Sequence, residues 1–133
     1  MDRDYIAEWF KIADMDLATA EYLQEMRPQP LEIICFLCQQ SSEKRLKGYL
    51  VYKGVAEPAK THNLTFLNDE CSEYDDRFSM LDTACSVLTR YGVQPRYPQE
   101  IKITVNNMLQ ALEYARQIRN FEQLAELRRA VIS

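Results

Sequence analysis

The one histidine of the chain, His62, lies in the stretch KTHNL, two residues after Lys60. An imidazole titrates near neutrality, so three roles are open to it. It could order a loop by hydrogen bonding, contact a phosphate or a base together with Lys60, or move a proton as a general acid–base group. A second polar set lies in CQQSSEKRLKGYL, where Gln39, Glu43 and Lys47 recur at four-residue steps and so share one helix face. Lys44 and Gln40 fall on neighbouring faces. Glu43 and Lys47 form a favourable i, i+4 pair, worth about 0.3–0.5 kcal/mol when exposed. That is too little to explain a polar stripe on an otherwise apolar helix. A polar layer at a helix or subunit interface is the first explanation, and ligand contact is the second. A third set is QPRYP, where Pro95 and Pro98 restrain the backbone and Tyr97, preceding a proline, is pushed to extended conformations. Arg96 could clamp a phosphate or carboxylate there, and Tyr97 could stack on a base. Equally, the two could tie this loop to the rest of the protein.

Cys35 and Cys38 form a CxxC, with Cys71 and Cys85 as the other two cysteines. Such a pair can do redox chemistry or supply half of a zinc site. Its setting, LEIICFLC, is apolar throughout and reads as helix, which puts both thiols on one buried face. With no second CxxC and no paired histidine, zinc lacks its remaining ligands. The four cysteines read as small buried hydrophobes, and neither metal nor cofactor is expected.

The elements that must position these residues are helices. The chain has 133 residues, 47% hydrophobic and 27% charged, with only three glycines. That is the size and composition of one globular domain with a real core, here taken as residues 1–133. Scarce glycine and proline argue against an all-β fold with many turns. The net charge of −4 gives no global attraction to nucleic acid or to an anionic membrane. No apolar run approaches the roughly 20 residues that span a bilayer. The start, MDRDYIAEWF, carries charge where a signal peptide needs an apolar core, which reads as cytoplasmic.

Ile6, Trp9, Phe10, Ala13, Leu17, Ala20 and Leu23 recur at three- and four-residue steps and predict a first helix from about Asp4 to Glu25. Arg27-Pro28-Gln29-Pro30 ends it. A second helix runs from about Pro30 to Tyr52, with Gly54 as its stop. Its first half is apolar nearly all round and is expected to be the most buried part of the fold. Its second half is amphipathic and basic. VAEPAKTHN is a loop, and Thr61 or Asn63 caps a short third helix, LTFLNDECSE. Asp75 and Asp76 then open a fourth helix with Phe78, Leu81, Cys85, Leu88 and Tyr91 on one face. Pro98 suits the first position of a fifth helix, which carries Ile101, Val105, Met108, Leu112, Ala115 and Ile118. A last piece offers Phe121, Leu124, Leu127 and Val131. The expected fold is all-α, an antiparallel up-and-down bundle of four longer helices plus short ones.

Charge is uneven along this bundle. From Lys44 to His62, five cations oppose Glu57, a net +4, and from Asn68 to Asp82 six acids oppose Arg77, a net −5. Solvated helix faces explain most of these charges; a basic edge that holds an anion beside an acidic wall is the sharper reading.

Four pieces in this order, WFKIADMDLATAEYL, CQQSSEKRLKGYL, KTHNLTFL and RYP, resemble the HEPN family, the higher eukaryotes and prokaryotes nucleotide-binding domain. The resemblance covers roughly Asp4 to Ile118 and implies a helical bundle. Members that cleave RNA share an Arg-x4-6-His motif near the end of the domain. Here no arginine precedes His62 at that spacing, where Glu57 and Ala56 stand instead, and no histidine follows it. The resemblance therefore implies the non-nuclease branch, with no catalytic residue assigned. Small members of that branch often pair with a separate minimal nucleotidyltransferase protein, and such bundles commonly form homodimers. The implied function is a non-catalytic module that binds a nucleotide or phosphate. Lys60, His62, Arg96 and Tyr97 would form the polar constellation, with Lys44 and Lys47 as helpers. The alternative is a dimeric interaction module with no small ligand.

Overall fold

The computed structural model describes residues 2–93 and 102–132, and the described residues are all-helical, as expected. Helix α1 spans Arg3–Leu23, α2 Leu31–Tyr52, α3 Leu64–Tyr74, α4 Asp82–Thr89, α5 Val105–Asn120 and α6 Glu122–Val131, with a 3-10 helix, Asp76–Leu81, before α4. Helix α2 is the axis of the bundle and touches every other helix, most extensively α1 and then α5. The predicted stripe of α1 is the one it buries: Ile6, Phe10, Ala13, Leu17 and Ala20 are all at or near zero exposure. Ile6, Phe10, Leu17 and Ala20 join Ile34, Cys35, Cys38, Leu46 and Leu50 of α2 in one continuous core with residues of α3 to α6. Trp9 and Leu23 lie at the edge of that stripe, partly buried.

The caps follow from local chemistry. The Asp2 carboxylate accepts the Tyr5 amide at the start of α1. Of the two candidates for α3, Asn63 is the cap: its Oδ1 accepts the Phe66 amide. Thr61 acts one step earlier, accepting the Asn63 amide. Gly54 follows the end of α2 with φ of 101°, a left-handed conformation that glycine adopts without a Cβ penalty.

Three expectations are corrected. The fifth helix begins at Val105, after the non-helical residues 102–104, and Pro98, the expected start, lies outside the described residues. Thr104 caps it, its hydroxyl accepting the Asn107 amide while the Asn107 side chain accepts the Thr104 amide. This reciprocal pair satisfies two otherwise orphaned donors. Val105 is then half exposed instead of facing the core, and Ile101 lies outside the described residues. The fourth helix is divided, because buried Asn68 of α3 donates to both the Phe78 carbonyl and the Asp82 carboxylate. Those bonds hold a 3-10 segment with α4 starting after it. The third correction concerns α2. Its second half is the more buried: between Cys38 and Leu50 only Gln40 and Lys44 are not buried. Packed against α1 and α3, that half buries polar side chains that the amphipathic pattern placed at the surface.

All four cysteines are free and buried. Burial pushes the Cys35 and Cys85 thiols up to about 12, so their thiolates are scarce at neutral pH. Ellman's reagent at pH 8 should therefore label none of the four in the folded protein and all four after unfolding. Rapid labelling of Cys35 or Cys38 in the folded state would contradict their placement in the core.

Candidate functional site

Glu43 is the centre of the polar stripe on α2. It is only 3% exposed, and a buried carboxylate is costly unless it is paired. Its pairing is complete. Lys47 Nζ donates to Oε2 at 3.0 Å, one helical turn away. His62 Nδ1 lies 2.8 Å from Oε1. Gln39 Nε2 lies 3.3 Å from the same oxygen, and Lys44 Nζ is 3.7 Å from Oε2. Burial raises this carboxyl, but hydrogen bonds from His62 and Lys47 and the charges of Lys44 and Lys47 outweigh it and hold the group below its ordinary value. Glu43 is thus an anion at neutral pH, and an anion only accepts. The proton between it and His62 therefore sits on Nδ1.

The KTHNL loop is pinned at several points. Gln39 Nε2 donates to the His62 carbonyl at 2.8 Å, so one α2 side chain holds the loop backbone while Glu43 holds the ring. Gln40 Nε2 donates to Gln39 Oε1, and Gln40 Oε1 accepts from Lys44 Nζ, which orients the Gln39 amide. At the far side, the Leu64 amide donates to Thr89 Oγ1. A Cβ on Gly92 would come within 2.9 Å of the His62 Cβ and 3.3 Å of its carbonyl oxygen, so the end of α4 closes on the loop where no side chain fits.

The structure therefore brings together three of the sequence-derived residues, Lys44, Lys47 and His62, on one carboxylate. Lys60 is exposed two residues away on the same loop. Arg96 and Tyr97 lie outside the described residues. Sequence reasoning placed Gln39, Glu43 and Lys47 on one face and left open whether they formed a layer or a contact. It missed Glu43 as the anchor of His62. The available signal was a carboxylate amid three cations and two glutamines on the most enclosed helix. Asp16 of α1 also belongs to this neighbourhood: burial raises its carboxyl, against the pull of Lys44.

Chemically the arrangement is a carboxylate–imidazole pair with the ring 59% exposed. It can present Nε2 outward in a fixed direction. Among the described residues no group of three or more His, Cys, Asp or Glu side chains is placed to hold a metal ion. No described helix is long and apolar enough to cross a membrane.

Comparison with solved structures gives two full-length likenesses. The crystal structure of TT1696 from Thermus thermophilus superposes with a TM-score of 0.74 at 26% identity, covering 97% of this chain and 98% of that one. The crystal structure of ST0689, an archaeal HEPN homologue, gives 0.66 at 21% identity, over 95% and 97%, and so shares the fold. None of the curated proteins compared matches the sequence. The HEPN domain family model matches residues 6–126, nearly the whole bundle, and the chain belongs to the HEPN domain family.

Proposed function

We propose that the protein is a non-catalytic HEPN module. In this reading it offers the loop beside α2 to a phosphate-bearing ligand, a nucleotide in the first instance, and works as a homodimer beside a nucleotidyltransferase-type partner. The observation that carries the reading is the setting of His62, an exposed ring whose Nδ1 is anchored on a buried anion. Its Nε2 then faces outward without a rotamer search, next to Lys60 on a pinned loop. Lys44, Lys47 and Lys60 exceed Glu43 and Asp16 by one positive charge, which favours an anion at this edge. Arg96 would clamp a phosphate and Tyr97 would stack on a base. No arginine and histidine stand at the spacing of the family's ribonuclease motif, which supports a binding role over a cleaving one.

The test is a thermal-shift screen with ATP, GTP and inorganic phosphate. A ligand at a hundred times its dissociation constant adds about 2.7 kcal/mol of stability. The shift with ATP or GTP should shrink in Lys60→Ala and His62→Ala. If no nucleotide or phosphate shifts the transition of any variant, the second reading takes over, an interaction module with no small ligand at this edge. Exposed Ile12, Met15 and Tyr22 on one side of α1, at 45%, 67% and 77%, favour that reading. Both readings include a homodimer, so light scattering should give twice the chain mass of 15.6 kDa. The mass of one chain at micromolar concentration would remove the dimer from both.

A further inference from the structure

A cleft of about 500 Å³ opens between α1, the middle of α2, and the α5–α6 corner. Its floor is Arg45, and its rim carries Asp14, Glu21, Arg119, Arg128 and Arg129. Arg45 is 1% exposed, among the largest fully buried side chains of the protein. A guanidinium is rarely buried so deeply without a full set of acceptors, because an unmet charged donor keeps its whole desolvation cost. Arg45 has only part of its set. Nη1 lies 3.0 Å from Asp14 Oδ1, while Nε and Nη2 have no acceptor among the described residues.

The surroundings do not make up the deficit. Asp14 is shared, since Arg128 Nε donates to its other oxygen at 2.8 Å. Glu21 is taken by Arg116, which donates to Oε2 through both Nε and Nη2. Four lining arginines therefore face two carboxylates, a formal excess of +2. Burial lowers the Arg45 guanidinium from its ordinary value, and Arg119 and Arg128 lower it further against the pull of Asp14. What the cleft lacks is negative charge with several acceptor oxygens.

We propose that this cleft is an anion site for a phosphoryl group, with Arg45 as its buried floor and Arg128 and Arg129 as its rim. A phosphoryl oxyanion supplies multiple acceptors in a compact group and suits the planar fork of arginine. The volume lies within the range of small-molecule pockets, so either free phosphate or the phosphate of a mononucleotide fits. Asp14 is the competitor, holding Arg45 and Arg128 with the charge that the ligand would bring. The site uses none of the residues of the His62 loop and stands whether or not that loop binds anything.

The experiment is calorimetric titration of the full chain with inorganic phosphate and with AMP, chloride being adjusted to hold ionic strength constant. Arg128→Ala with Arg129→Ala should weaken phosphate binding by about tenfold or more, the loss of charge-assisted hydrogen bonds. Asp14→Asn should strengthen it by a similar factor, because the competing charge is gone. In a Lys60→Ala/His62→Ala background the rim variants and Asp14→Asn should change binding by the same factors, which separates this site from the loop. Equal affinity for phosphate and AMP means the cleft reads the phosphoryl group alone; tighter AMP means that it also holds the nucleoside. Arg45→Met should abolish binding, but the rim variants and Asp14→Asn decide the matter even if that variant fails to fold. The proposal is overturned if the natural sequence takes up neither ligand, or if binding survives the rim variants and weakens in Asp14→Asn.

Discussion

Glu43→Ala should lower stability by about 3–5 kcal/mol. The carboxylate balances Lys47, whose side chain is 9% exposed, and anchors His62 and, through Gln39, the neighbouring loop. Removing it leaves a nearly buried ammonium without its anion, and that is the expensive half of a broken pair. For a domain of this size the transition should fall by roughly 10 °C or more. The double variant Glu43→Ala/Lys47→Met should recover much of the loss, because it removes the orphaned charge as well. Glu43→Gln keeps the shape and an acceptor oxygen, so its cost should be smaller. The two variants together separate charge from packing. A Glu43→Ala protein that melts with the natural one would mean that the cluster is solvated.

The same residue sets a pH dependence. Hydrogen bonds and nearby cations hold the folded Glu43 carboxyl below its ordinary value in spite of burial. In the window between the folded and unfolded values, the unfolded chain binds more protons, so stability rises with pH there. The contribution is fully present above the ordinary glutamate value of about 4.3 and is lost as pH falls through the folded value. Urea unfolding of the natural protein and Glu43→Gln should show curves that are apart at pH 6 and converge as pH drops below about 4. A gap that stays constant to the acid limit would contradict the assignment.

Gly48→Ala should destabilise by about 1–3 kcal/mol, although alanine is the better helix former by about 1 kcal/mol. A Cβ at position 48 would lie 2.9 Å from Phe10 Cε2 and 3.1 Å from Trp9 Cβ. Phe10 has no exposure and belongs to the continuous core. The glycine is there so that α1 can approach α2 closely, and that contact is the largest between any two helices of the fold. Gly48→Ala combined with Phe10→Leu should cost less than the two changes added, since the smaller side chain gives the Cβ room. Chemical denaturation of the three variants measures this. A stabilised Gly48→Ala would mean that the helices can separate at no cost.

Much of the bundle was legible in the residues because helix formation is local. The stripe from Ile6 to Ala20, the glycine stop at Gly54, the Asn63 cap and the burial of Cys35 and Cys38 follow from spacing and side-chain chemistry within a few turns. The i, i+4 pair of Glu43 and Lys47 was legible for the same reason. The start of α5 was local too: Thr104 and Asn107 cap each other across three residues.

Tertiary structure decided the rest. Periodicity says which residues share a face, but not how many other helices cover it. The QQSSEKRLKG half of α2 therefore reads as amphipathic, yet it is packed against α1 and α3. Glu43 and His62 are 19 residues apart, and Asp14 and Arg128 are 114 apart. Nothing local links either pair; the crossing of α2 with the loop, and of α1 with α6, puts each at hydrogen-bond distance. The sequence by itself determined the helical class, the buried stripe of α1, the stop of α2 and the thiols hidden in the core. Only the packed bundle decided which charges would lose their water, and a charge without water must find a partner.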